Sequence, residues 1–484
     1  MISPARVAAY QTGLAVSTEQ WTLADALAAG RRTLGDPRDK ALAAEIAIGV
    51  QRWRATLDHL IAHFCTRPVA KLDREVVEIL RLSAFQLIFL TRVPASAVVD
   101  DAVNLTGRVG LRSAGGLVNA VLRTLSRNSP RLHLPAAVTD PNTQFGETAP
   151  SRTVSDGVTP HVQCVIPVRP ADLSGRDAAL DYLSIALSHP RWLVERWYTR
   201  YGFEATERWL IFNQTPARLT VRANPLLHTR DELVAKFERE GVRVVRGRHA
   251  PEALIVQQGQ PLADPDVETG WFVVQDEASQ LVAHLAGEEP GRSVLDACAS
   301  PGGKTTALSA RMPHDGLLVA CDVRPRRVGL LRRTLAACGA RNARIVQADL
   351  LTPLPFRQAF DCVLVDAPCS GLGTLRRNPD IKWRRSQDDL KGLAASELTM
   401  LRHAAAGVRG GGRLIYATCS SEPEENESVV QAFLSATRDF IEVEAARAAP
   451  DIASELLDAS GHLRTRPDMH ALDAFFGAVF ERRI

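Results

Sequence analysis

Two cysteines stand where a thiol has chemical use. Cys369 lies in Asp366-Ala-Pro-Cys-Ser-Gly and Cys419 in Ala417-Thr-Cys-Ser-Ser-Glu, each just past a short apolar run. Ligands of open α/β sheets bind in the crevice beyond the strand carboxyl ends, so both thiols are expected at one site mouth. A thiolate is a good nucleophile, and C6 of a pyrimidine is an electrophile that accepts one. Ser421-Glu422-Pro423-Glu424 reads as a capping box that opens a helix beside Cys419. A helix N-terminus lowers a thiol pKa, while Glu422, Glu424 and Glu425 push it up. One such cysteine reads well as core filling. Two in polar turns do not.

A second set of residues is suited to a ligand. The stretch Val294-Leu-Asp-Ala-Cys-Ala-Ser-Pro-Gly-Gly-Lys-Thr-Thr runs strand, acid, double-glycine turn, helix. Glycines let a backbone come close to a ligand, and a helix N-terminus favours negative charge. The loop is neither a P-loop nor the GxGxxG fingerprint. The strands that follow end at Asp322, Asp349 and Asp366. Acids at three successive strand ends suit an adenosine-containing ligand, with its hydroxyls and amino group. Taken singly, each reads equally well as a helix N-cap.

Positioning these groups requires a sheet. Apolar runs predict strands over Ser293–Ala297, Gly316–Asp322, Ala343–Ala348, Cys362–Asp366 and Gly412–Thr418, with a last strand over Ala474–Arg482. Helices are expected between them, over Lys304–Arg311, Pro325–Cys338, Asp388–Val408 and Glu422–Ala436. This alternation predicts a class I, Rossmann-like α/β domain with a doubly wound, mainly parallel sheet over residues 271–484. Residues 177–270 predict a small α/β module, opened by helices over Ala178–Leu187, Pro190–Tyr201 and Glu204–Asn213. Its Arg218, Arg222, Arg243, Arg246 and Arg248 give it a basic character. Residues 136–176, rich in Pro, Thr, Ser and Gly, read as a linker or insertion. Residues 1–135 read as an all-α bundle, with apolar positions at three- and four-residue spacing.

With 484 residues, 45% hydrophobic and 23% charged, the chain is expected to be a soluble protein of two to four domains. No apolar run approaches the roughly 20 residues of a membrane helix, and no signal peptide is read at the N-terminus. The net charge of +3 says little by itself. Its arginine clusters say more: Arg324, Arg326, Arg327, Arg332 and Arg333 in one stretch, Arg376, Arg377, Lys382, Arg384 and Arg385 in another. Beside a site mouth these are candidate phosphate contacts. The eight cysteines form no CxxC pair and no zinc spacing, so no metal is expected and a reduced, cytoplasmic chain is the simplest reading.

The motifs DAPCSGLGTLRRNPDIKW and YATCSSEPEENE resemble the two cysteine motifs of RNA (cytosine-5)-methyltransferases of the NOL/NOP2/Sun family. CASPGGKT resembles that family's S-adenosylmethionine loop, and ACDVRPRR its ribose-binding segment. The helical start resembles the NusB-like RNA-binding domain that marks the family's bacterial 16S rRNA branch. The resemblance implies that Cys419 attacks C6 of a flipped-out cytosine and that Cys369 assists proton loss from C5 and release. It implies that Asp366 bonds the cytosine N3/N4 edge with Lys304 nearby. It further implies that Cys298, Ala299, Ser300, Pro301, Gly302, Gly303 and Lys304 hold the methionine end. Asp322, with Arg327, would hold the ribose and Asp349 the adenine amino group. The implied partner is 16S rRNA; beside it, a monomer and no membrane are expected. Three other readings are weighed beside it: a DNA-type mechanism with Cys369 as nucleophile, action on tRNA or 23S rRNA, and a catalytically silent RNA-binding or antitermination factor. Asp473-Ala-Phe-Phe departs from the family's Asp-Gly-Phe-Phe.

Overall fold

The computed structural model describes residues 2–129, 132, 165–171, 175–263 and 270–484. Residues 136–164 and 172–174 of the expected linker, and Cys164 within it, lie outside the described residues. The chain forms two compact units, Met1–Pro216 with Leu375–Gln387, and Ala217–Thr374 with Asp388–Ile484. These edges differ from those expected: the helices after residue 175 join the first unit, and so does a short piece of the basic loop.

The first unit is helical. Its helices are α1 (Pro4–Ser17), α2 (Leu23–Arg32), α3 (Pro37–Phe64), α4 (Arg74–Phe89), α5 (Ala95–Arg108) and α6 (Gly115–Asn128). Local chemistry sets their starts: Thr22 accepts a hydrogen bond from the Asp25 N–H, and Asp36 from that of Arg38, with Pro37 opening α3. The unit also holds α7 (Arg176–Asp181) and α8 (Arg191–Gln214). Gly202, at φ 76° and ψ 177°, leaves helical geometry and divides α8 into two helical pieces, as the expected helices Pro190–Tyr201 and Glu204–Asn213 require.

The second unit begins with a four-stranded antiparallel sheet of β1 (Thr220–Ala223), β2 (Arg243–Arg246), β3 (Ala253–Gln258) and β4 (Phe272–Val274), in the order β2-β3-β1-β4. Helix α9 (Arg230–Arg239), opened by a Thr229/Glu232 capping box, packs Leu233 and Phe237 into its core. The main sheet follows helix α10 (Glu277–His284). Its strands are β5 (Ser293–Asp296), β6 (Leu317–Asp322), β7 (Ala343–Gln347), β8 (Phe360–Asp366), β9 (Val408–Thr418), β10 (Phe440–Val443), β11 (Leu463–Arg464) and β12 (Phe476–Arg482). Their order is β10-β12-β9-β8-β5-β6-β7, with β11 beside β12. Strands β9, β8, β5, β6 and β7 run parallel, and β12 pairs antiparallel with β9. The longer helices between the strands are α11 (Gly303–Arg311), α12 (Pro325–Ala337), α13 (Asp389–Ala405) and α14 (Glu427–Ala436).

The strand order reverses between β5 and β8. Register pairs Asp296 with Leu364 and Asp366 with Ala417. The ends of β5, β8 and β9 therefore lie side by side, which is where an open α/β sheet binds its ligand.

Candidate active site

Cys369 and Cys419 meet. Their sulfurs are 3.3 Å apart, and both side chains are half-buried. Strands β8 and β9 carry them there, and the backbone locks the approach. The Gly373 N–H donates to the Cys419 carbonyl at 2.9 Å, and the Ala474 N–H donates to the Gly373 carbonyl at 2.9 Å. A Cβ on Gly373 would lie 2.1 Å from the Ala474 oxygen, so the close approach requires glycine here. Ala474, where the resembling family has glycine, buries its methyl and keeps the backbone bond.

The Cys369 thiol is held well above its ordinary pKa, first by the hydrogen bond with Cys419 and then by burial and by Glu425 and Glu397. The expected helix beside Cys419 starts later than its capping box suggested, at Glu427. Glu422 and Glu425 are buried instead, accepting the hydroxyls of Ser421 and Ser420. The Ser420 N–H donates to Thr418 Oγ1, and the Asn426 amide donates to the Ser420 carbonyl.

Beside the thiols, Lys304 Nζ donates to Asp366 Oδ2 at 2.7 Å and to Ser279 Oγ at 3.0 Å. Burial alone would lower the Lys304 pKa, but the Asp366 carboxylate outweighs it and holds the ammonium charged. Lys304 lies in the first turn of α11, which Gly302 caps at φ 111°. There the backbone passes against Leu331 and Thr334. Asp322 is buried and accepts from Arg327 Nε at 3.0 Å, from the Ser300 N–H at 3.3 Å and from the Arg324 N–H at 3.2 Å. Arg327 also donates to the Ser300 carbonyl at 2.7 Å, which joins the β6 end to the glycine loop. Asp296 holds Thr305 Oγ1 at 2.7 Å, and burial pushes its carboxyl up to about 7. The Cys298 thiol is raised by burial and by Asp296, Asp366 and Asp322, so three carboxylates surround the loop. Such a donor set fits a ligand that carries positive charge and hydroxyls. Asp349 is more peripheral, and its carboxylate caps the Leu351 N–H at 2.9 Å.

Residues 282–481 match the family described as 16S rRNA methyltransferase RsmB/F, residues 3–127 the NusB family, and residues 189–263 the ferredoxin-like domain of Methyltr_RsmF/B-like proteins. Ribosomal RNA small subunit methyltransferase B of Pseudomonas putida is 31% identical over 412 residues, which are 83% of this chain and 82% of that protein. The chain belongs to the RsmB/F methyltransferase family. A probable member from Bacillus subtilis is 29% identical over 449 residues, 91% of this chain and 90% of its own length. The fold agrees with the crystal structure of PH0851, at a TM-score of 0.76 and 23% identity, covering 100% of this chain and 99% of that one.

In this RsmB/F chain the basic groups divide in a way that corrects their expected roles. Arg324, Arg326, Arg332 and Arg333 are exposed on or beside α12. Lys382 is not. Its ammonium is buried in the helical unit and donates to the carbonyls of Arg52 and Ser188 at 3.0 and 2.6 Å. Burial, with Arg52 beside it, drives its pKa well down. Trp383 donates to the Gln51 carbonyl, Asp380 accepts the Leu23 N–H, and Arg376 donates to the Pro216 carbonyl. The segment Leu375–Gln387 is thus a structural insert of the helical unit, held by backbone carbonyls, and Lys382 and Arg376 are spent on it. Arg222 of the small module is likewise buried, bonded to Gln275, Thr306 and the Gly303 carbonyl beneath the glycine loop. Among the described residues no group of His, Cys, Asp and Glu could hold a metal.

Sequence reasoning missed Glu425 and Glu397. Both are fully buried below the thiols. The Tyr416 hydroxyl donates to the Glu425 carbonyl and lies 3.0 Å from Glu397 Oε2. In the sequence Glu425 shows only as one of three acids near Cys419, and Glu397 carries no motif that would mark it.

Proposed function

We propose that this protein methylates C5 of a cytosine in 16S rRNA, with S-adenosylmethionine as methyl donor and a transient bond between Cys419 and C6. The observation that carries this reading is the pair of thiols 3.3 Å apart beside the Lys304–Asp366 ion pair. The target base must leave its stack, since neither face of a stacked cytosine can be reached. Asp366, oriented by Lys304, bonds the N3/N4 edge of the extruded base and favours its protonated form, which draws electrons from C6. Cys419 as thiolate adds to C6, and the electron pair released makes C5 nucleophilic. S-adenosylmethionine, when bound, supplies an electrophilic methyl group to that carbon. Cys369 then assists departure of the C5 proton, the C5–C6 double bond reforms, and the Cys419 sulfur leaves with its electron pair.

The residues around the glycine loop suit the donor. Cys298 to Lys304 would hold its methionine end, Asp322 with Arg327 its ribose, and Asp349 its adenine amino group. The DNA-type alternative, with Cys369 attacking first, is disfavoured because it leaves no role for the Cys419 thiol 3.3 Å away. The Pseudomonas putida and Bacillus subtilis relatives are named as small subunit rRNA methyltransferases, which favours 16S rRNA over tRNA or 23S rRNA. The site of action is then the cytoplasm. Among the described residues, no helix is long and apolar enough to cross a membrane.

The test is product analysis. The full chain is incubated with methyl-labelled S-adenosylmethionine and 16S rRNA transcript, or the small subunit, and the RNA is digested to nucleosides. All label is expected in 5-methylcytidine. Label in any other nucleoside, or transfer only to tRNA or 23S rRNA, would overturn the reading.

A further inference from the structure

One carboxylate touches both cysteine turns. Glu425 Oε1 accepts the backbone N–H of Ser370 at 2.6 Å, next to Cys369, and its Oε2 accepts the Ser370 hydroxyl at 2.6 Å. The same Oε2 accepts the hydroxyl of Ser420, next to Cys419. The two serine oxygens are themselves 3.2 Å apart. Ser370, Ser420 and Glu425 are all buried, with Glu425 at 0% exposure. Buried hydrogen bonds to a charged acceptor are among the strongest in a protein and fix geometry accordingly.

We propose that Glu425 is a positioning residue for the methyl transfer, its single carboxylate clamping the Cys369 turn to the Cys419 turn and setting the separation of the two thiols. It acts through the two turns, by its bonds to Ser370 and Ser420. This role rests on the reading of both thiols as reactive groups. Beneath it, Glu397 and Tyr416 complete the support: Tyr416 bonds Glu397 Oε2 and the Glu425 main chain. The clamp also accounts for the late start of α14, since Glu425 serves the thiol turns instead of a helical first turn.

The experiment uses the full chain and two readouts. In the first, diamide accepts two electrons and two protons from Cys369 and Cys419, and the disulfide is followed by non-reducing peptide mass analysis. No RNA or donor is needed. In Glu425→Ala the rate is expected to fall about tenfold, the scale of one lost charged hydrogen bond. Ser370→Ala/Ser420→Ala removes both hydroxyl donors, keeps the carboxylate, and is expected to slow it similarly. It also carries the test should Glu425→Ala fail to fold. In the second readout, kcat for methyl transfer is expected to fall about a hundredfold with KM for RNA unchanged, and Glu425→Gln is expected to recover part of it. Folded variants that form the disulfide at the wild-type rate would overturn the clamp. A wild type that forms the disulfide but never methylates RNA would overturn the functional reading, while the first readout still decides the clamp.

Discussion

Glu397 holds a proton at neutral pH, far from the ordinary range of a carboxylic acid. Burial is the main cause, and Glu425 adds to it, so its pKa is pushed up to about 9 from 4.5. The unfolded chain releases this proton near 4.5 and the folded chain near 9, so the folded state binds more protons between them. Stability linked to Glu397 is therefore present below about 4.5 and lost as pH rises toward 9. His462, paired with Glu442 and Asp458, is raised to about 9 and acts in the same direction, its contribution complete below about 6.5. The midpoint of thermal unfolding is expected to fall between pH 6.5 and pH 9. In Glu397→Gln the fall should be shallower, as read by calorimetry at both pH values; an unchanged slope would contradict the assignment. At this scale the sequence marked the thiols, Asp366, Lys304 and Asp322, because strand-end position and residue type suffice to find them. Glu425 escaped because Ser421 and Glu424 satisfy a local capping pattern, and only the closed turn turns Glu425 toward Ser370, 55 residues earlier.

Elements hold the site through backbone contacts that side chains cannot relieve. Gly373 is the clearest case. A Cβ there would meet the carbonyl oxygens of Ala474 at 2.1 Å and Cys419 at 2.8 Å, both backbone atoms. Gly373→Ala is expected to cost about 1–3 kcal/mol in urea unfolding. It should lower kcat about a hundredfold by shifting the Cys419 turn; wild-type kcat in the folded variant would contradict the role given to that contact. Strands of the main sheet were legible within a few residues, since buried parallel strands are apolar along their whole length. The segment around Lys382 was not. In sequence it resembles a solvated basic loop, and the carbonyls that hold Lys382 belong to residues 330 and 194 positions away. No local period encodes such a partner.

In the whole molecule, the two units do not follow the chain in simple order. The ferredoxin-like module folds with the methyltransferase sheet, and Arg222 joins them under the glycine loop. The chain then leaves that unit after Thr374, five residues past Cys369, and returns at Asp388 to begin α13, which carries Glu397. Composition gave the class of protein and the alternation gave the sheet, while this excursion needed three dimensions to be seen. The central claim is that Cys419 is the nucleophile and Cys369 the releasing group. It is tested most directly by denaturing electrophoresis of Cys369→Ala and Cys419→Ala after incubation with labelled S-adenosylmethionine and 16S rRNA. Cys369→Ala is expected to accumulate a denaturant-resistant protein–RNA adduct, and Cys419→Ala to give neither adduct nor methylated RNA. An adduct in Cys419→Ala and none in Cys369→Ala would contradict the account.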